Sequence, residues 1–246
     1  MCVKENIKKQ KDMNSNIMNK KKIVFLTGAG IDVESGIPAF RTKNGLWENH
    51  KIEEVATLDG WKKDRVKVLD FYNERRRQMC TVSPNLAHTL ISDLEDKFNV
   101  MVITTNVSDL HERGGSTKVI HLHGELSKMC SSLDKEKTLE YKEDIKIGDK
   151  HSDGSQIRPY IVWFGEDVPL VEDAIKEIKS ADILVIVGTS LEVYPAAGLM
   201  GYTKASCELY YIDPKPKMDS GVAQYFTIIP KVATEGMSDF VSKLNI

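Results

Sequence analysis

The chain has 246 residues, enough for one large domain or for one domain carrying a small insert. Its 34 Lys and Arg against 36 Asp and Glu leave a formal charge of −2, which gives no general pull towards nucleic acid or an anionic membrane. No apolar run approaches the ~20 residues that span a bilayer. Four cysteines, at 2, 80, 130 and 207, show no paired spacing, as expected of reduced thiols in a cytoplasmic protein and not of a disulfide scaffold.

Residues 1–21 are rich in Lys, Asn and Met without an apolar stretch, and read as a disordered basic tail, not a secretory signal. The apolar run within Lys22–Thr27 has the length and β-branching of a buried strand. It breaks at Gly28-Ala29-Gly30-Ile31, where glycines permit a tight turn and the close approach of a ligand to the backbone. A turn of this kind that opens a helix offers free N–H groups and a positive dipole end, which suits a pyrophosphate. The signal is weak by itself, because Val33 stands where the usual dinucleotide fingerprint has its third glycine. Ser35 to Arg41 reads as a structured loop bringing Phe40 and Arg41 over whatever the glycines hold, and the loop runs on to Trp47.

From about Glu53 to Met79 the pattern is helical and charged, within a helical module at about 48–80. A second helix is expected over 84–97, with Ser83 as its N-cap and Pro84 at the first position. Apolar runs at Val100–Thr104 and Val119–Leu122 read as strands, the second ending at His123-Gly124. Residues 127–157 lose periodicity and read as an insert outside the core, with order returning at Arg158–Glu166. A helix at about 171–180, strands at Asp182–Val187 and Glu208–Ile212, and a last helix at about 235–244 complete the chain. Continuous apolar strands alternating with helices describe an α/β fold, a doubly wound, Rossmann-like parallel sheet, whose ligands bind at the carboxyl ends of its strands.

Taken in order, five motifs resemble the sirtuins, which are NAD-dependent protein-lysine deacylases. They are Gly28–Ile31 with Ser35–Arg41, Thr104–Gly115, Val119–Gly124, Phe164-Gly165-Glu166 and Gly188-Thr189-Ser190. The likeness spans about 22–245. It runs closest to the bacterial and mitochondrial branch, through Phe71–Gln78 and Val162–Glu166. The resemblance implies NAD as cofactor, its diphosphate near Gly28, Ala29 and Gly30, and the adenosine half held by Gly188, Thr189, Ser190, Asp213, Pro214, Lys215 and Ala233. It further implies cofactor contacts from Ile31, Phe40, Arg41, Trp47, Thr105, Asn106, Val107 and Ser108, with His123 as general base and Asn106 as its catalytic companion. An imidazole suits that task because its ordinary pKa of ~6.5 lies near working pH. His121, two residues earlier, is expected to face the other way and not to share the role.

The implied products are lysine, nicotinamide and O-acyl-ADP-ribose, the implied partners acylated lysine side chains of proteins. Neither nucleic acid nor membrane is expected as a partner, and the chain is expected to be a monomer. Val162, Phe164 and Gly165 would lie beside the substrate. Tyr72 and Arg75, at i,i+3 on one helix face, would grip a carboxylate and so favour succinyl- or malonyl-lysine.

Three positions depart from the family pattern. Asp32 stands in place of a Ser and is expected either to repel the phosphates or to cap a helix. Thr105 replaces a Gln, and Ser108 replaces an Asp that in the family helps to bind the nicotinamide carboxamide. Sirtuins also commonly carry zinc on four cysteines, whereas this insert offers Cys130 with His151 as the nearest other candidate, so no metal is expected. Alternatives that stay open on the sequence are an NAD glycohydrolase, a mono-ADP-ribosyltransferase and an NAD- or ADP-ribose-binding sensor.

Overall fold

A computed structural model describes residues 20–39, 51–192 and 194–244. Residues 1–19 of the expected tail, together with Phe40, Arg41 and Trp47, lie outside the described residues. Strand β1 (Lys22–Thr27) is the centre of the molecule, with Ile23 to Leu26 at most 1% exposed. It pairs in parallel with β2 (Asn99–Thr104) on one side and, counting in chain order, with β7 (Ile183–Val187) on the other. Beyond them lie β3 (Val119–His121), β8 (Glu208–Ile212) and β9 (Phe226–Ile229), giving the order β3-β2-β1-β7-β8-β9 with every pairing parallel.

Successive side chains of a strand point to opposite faces. Ile23 and Phe25 accordingly pack with Ile91, Val185 and Phe240, while Val24 and Leu26 pack with Ile103, Ile178 and Leu199. Both faces are covered, so the strands are apolar throughout, which is why they read clearly from sequence. Strand β9, at the sheet edge with Thr227 and Ile228 exposed, was not expected.

The helical module expected at about 48–80 is helical but not continuous. It divides into α1 (Ile52–Val55), α2 (Leu58–Lys63) and α3 (Arg65–Thr81). Thr57 and Asp64 cause two of the breaks, each accepting the backbone N–H three residues on and so starting a new helix. The next helix, α4 (Leu86–Asp93), is capped by Asn85 and not by Ser83, because Asn85 and His88 exchange hydrogen bonds across the first turn. Helix α5 (Leu110–Arg113) follows β2, and α6 (Val171–Lys179), α7 (Ser220–Ala223) and α8 (Ala233–Lys243) complete the set among the described residues.

The segment 127–157 is not an excursion outside the core. Strands β4 (Gly124–Ser131), β5 (Thr138–Glu140) and β6 (Ile157–Ile161) form a small antiparallel sheet in the order β5-β4-β6. Met129, Ile145 and Ile157 pack with Val68, Leu69, Phe71 and Trp163 in a second core. Polar side chains tie the rest: Arg76 donates to the Leu126 carbonyl, and Asn73 bonds the backbone of Ile145 in both directions. Ser131 Oγ donates to Asp153 and accepts from the backbone of Leu133 and Asp134. Among the described residues no group of three His, Cys, Asp or Glu side chains is placed to hold a metal.

Candidate active site

Strands β1 and β7 end side by side, and the turns that follow them are packed backbone to backbone. Gly28 N–H donates to Val187 O at 3.1 Å and Gly30 N–H to Gly188 O at 2.8 Å. A Cβ on Gly30 would lie 2.6 Å from Gly188 Cα, and Gly188 itself has φ +62°. The glycines therefore serve the packing of turn on turn, and the Gly28 and Gly30 amides are not free for a ligand. Two short 3-10 turns, Ala29–Ile31 and Val33–Ser35, follow in place of the expected helix, so the expected dipole end is not built here.

A cleft of about 270 Å³ opens above these strand ends, walled on its other side by α3 and the segment after β6. Of the expected site residues, it collects Ala29, Thr105, Asn106, Val107, Ser108, His123, Thr189 and Ser190 with Tyr72, Arg75, Val162, Phe164 and Gly165. Gly28, Gly30, Ile31 and Gly188, in the turns at the β1 and β7 ends, are not among its lining residues. Asp213, Pro214 and Lys215 follow β8 outside the cleft, and Ala233 is buried in the core at the start of α8. Asp32, expected beside the phosphates, also lines it, as do Trp163 and Glu166 of the Val162–Glu166 motif, neither of them assigned an individual role from sequence.

Two histidines at the end of β3 have opposite fates. His123 Nδ1 lies 3.2 Å from Thr105 O, and a carbonyl can only accept, so Nδ1 carries the proton. Nε2 then holds a lone pair, and burial pushes the imidazole pKa below its ordinary value, favouring the neutral ring. His121 Nδ1 donates to Asn106 O at 3.0 Å and Nε2 to Glu112 at 2.8 Å. Burial alone would lower the His121 pKa, but the Glu112 carboxylate outweighs it and raises it, so this ring is held as a cation outside the cleft.

Asn106 is fixed by Nδ2 donating to Gly28 O at 3.0 Å and by its N–H donating to Thr104 Oγ1. Its Oδ1 is buried without a partner among the described residues. Asp32 neither caps a helix nor stands free: it accepts from Ser108 Oγ at 2.7 Å and pairs with His88 Nε2 at 3.2 Å. On the other wall, Trp163 Nε1 donates to Tyr72 Oη at 3.0 Å, leaving the Tyr72 proton for another acceptor. Burial pushes the Tyr72 phenol well above its ordinary pKa, so it stays a donor. Arg75 donates to Phe71 O at 3.0 Å and to Glu74 at 2.8 Å, its guanidinium 3.7 Å from the Phe71 ring centre. Glu166 accepts from Arg158 at 2.6 Å, Lys135 at 3.1 Å and Trp163 N–H at 2.8 Å, tying the cleft rim to the small sheet.

The site's donor and acceptor set fits a nicotinamide dinucleotide: an orphaned amide oxygen on Asn106 and a proton-accepting imidazole share one cleft at the strand ends.

A family model described as the Sir2 family matches residues 28–195. An NAD-dependent protein deacylase of Bacteroides thetaiotaomicron is 49% identical over 225 residues, covering 89% of this chain and 96% of that protein. One from Helicobacter pylori is 50% identical over 224 residues, covering 91% and 97%. Among solved structures, a Sir2 homologue variant in complex with ADP-ribose superposes with a TM-score of 0.84 at 36% identity, covering 95% of this chain and 96% of its own. A Sir2 homologue–NAD complex gives 0.82 at 35% identity, covering 96% and 93%. With a matched model over more than half its length and relatives near half identical across almost all of it, the chain belongs to the Sir2 family.

Proposed function

We propose that this protein is an NAD-dependent protein-lysine deacylase in which His123 is the general base. The observation that carries the reading is the His123 tautomer: Nδ1–H is committed to the Thr105 carbonyl, so Nε2 is the accepting atom. Burial, which lowers its pKa, favours the unprotonated ring. NAD supplies, when bound, a ribose carbon open to attack by the acyl oxygen and nicotinamide as the leaving group. His123 Nε2 would take the proton of a ribose hydroxyl as the acyl group passes to the ribose. Asn106, anchored through Nδ2, would present Oδ1 and orient the ring that leaves. Trp163 and Phe164 would flank the aliphatic stem of the acyl-lysine and exclude water.

The same reading extends to acyl choice. Tyr72 Oη has its proton to give and Arg75 lines the same cleft, an arrangement that would receive the carboxylate of a succinyl or malonyl group. The wall also supports acetyl removal, since both residues border the cleft without closing it.

Mass spectrometry of peptides bearing acetyl- or succinyl-lysine, incubated with NAD, tests both levels. Release of the acyl group with nicotinamide is expected, falling roughly 10²- to 10⁴-fold in His123→Ala, the usual worth of a general base. Arg75→Met is expected to lose succinyl removal and keep acetyl removal. Nicotinamide release without deacylation would replace the reading by a glycohydrolase or transferase. Neither reaction, with NAD still bound, would leave a sensor.

A further inference from the structure

Two departures from the family pattern meet as a hydrogen bond. Asp32 follows the glycine turn and Ser108 follows β2, yet Ser108 Oγ–H donates to Asp32 Oδ2 at 2.7 Å. The second carboxylate oxygen lies 3.2 Å from His88 Nε2. His88 Nδ1 accepts the Asn85 backbone N–H, so its Nε2 bears the proton and donates to Asp32. All three are deeply buried, at 3% exposed for Asp32, 6% for Ser108 and 0% for His88. Asp32 and Ser108 nevertheless line the cleft beside Asn106 and His123.

Lone-pair counting decides what this wall can bind. Each carboxylate oxygen has a second accepting direction, and Ser108, having spent its proton on Asp32, faces anything further as an acceptor. The orphaned Oδ1 of Asn106, 3% exposed, adds a third accepting group. A wall of acceptors holding one negative charge repels phosphate. It favours a ligand part that carries N–H donors and positive charge, and in NAD the carboxamide of the cationic nicotinamide ring is both.

We propose that Asp32 receives the carboxamide N–H groups of the NAD nicotinamide, with Ser108 as the positioning residue that holds its carboxylate. Charge and hydroxyl have thus changed places between the glycine turn and the β2 loop, and the loss of an acid at 108 is compensated at 32. The inference rests on the NAD reading above.

Calorimetric titration with NAD and, separately, with ADP-ribose, without acyl peptide, tests it, because ADP-ribose lacks the nicotinamide. Asp32→Asn is expected to weaken NAD roughly 10- to 100-fold, the worth of a buried polar contact, and ADP-ribose by no more than about twofold. Ser108→Asp alone sets two carboxylates against each other and is expected to bind NAD poorly. The double exchange Asp32→Ser with Ser108→Asp is expected to recover most of the affinity and of the thermal stability. Equal losses for both ligands, an unchanged NAD affinity in Asp32→Asn, or no recovery in the folded double variant would overturn the proposal. Failure of the natural protein to bind ADP-ribose or NAD would instead strike the NAD reading itself.

Discussion

The two sheets of this protein are assembled by different physics. The parallel sheet is dry: β1 is buried on both faces and held by packing from helices above and below. The small sheet is held as much by charge and hydrogen bonds as by its core, through Arg158–Glu166–Lys135, Asn73–Ile145 and Ser131–Asp153. Packing resists changes of volume, whereas a buried ionic network resists the removal of any one member. The cleft lies where these two constructions face each other, so its two walls should fail under different insults.

The largest test of that contrast is Glu166→Ala. It leaves Arg158, whose side chain is 4% exposed, without its carboxylate, and breaking such a pair costs about 3–5 kcal/mol. A large fall in thermal midpoint is expected, with Glu166→Gln falling less. A near-neutral Glu166→Ala would show that packing, not charge, holds the small sheet. On the other side, Gly30→Ala forces a Cβ to 2.6 Å from Gly188 Cα, a backbone atom that cannot swing away. Overpacking of this order costs roughly 3 kcal/mol, and calorimetric unfolding should show it with no dependence on salt.

A smaller effect separates the histidines. Burial above all, with the His121 cation adding to it, holds the His111 pKa well below its ordinary value. Below about pH 6.5 the unfolded chain takes up a proton that folded His111 refuses. Stability should therefore fall as pH drops through that value, and His111→Gln should flatten the fall in a series of denaturant titrations. His121 works in the opposite sense. Its raised pKa contributes stability fully present below about pH 6.5 and lost as pH rises through the folded value. The smallest effect is that of a chelator: EDTA should leave the thermal midpoint where it was, and a marked drop would reveal a metal holding the small sheet.

What could be read in the sequence follows the same division. Lys22–Thr27 and Glu208–Ile212 are found at their expected bounds, the first because a doubly buried strand is a continuous apolar run, the second because its apolar Leu209–Ile212 run stands out between polar neighbours. The small sheet does not stand out in the sequence because polar side chains are buried among its apolar ones: Ser131 and Arg158 are buried, and neither looks like core. The caps at Thr57, Asp64 and Asn85 do not show in the sequence, since a capping side chain and a solvated one look alike until the geometry is known. Asn106, His123, Tyr72 and Arg75 do converge on one cleft. Asp32 and Ser108 read as two separate defects because their bond joins residues far apart along the chain.

Leu122 N–H donates to Thr104 O of the parallel sheet, and the carbonyl of the very next residue, His123, accepts Val162 N–H, just past the end of the small one. At Gly124, φ is +83° and a Cβ would lie 2.1 Å from Tyr160 O, so the crossing is as tight as a chain can make it. The imidazole is thus mounted on the seam and not on either plate. A tilt of one sheet against the other would have to be taken up across the peptide units joining Leu122, His123 and Gly124, and so would turn the ring with it. The width of the cleft and the aim of the base are, in gearing terms, a single coordinate.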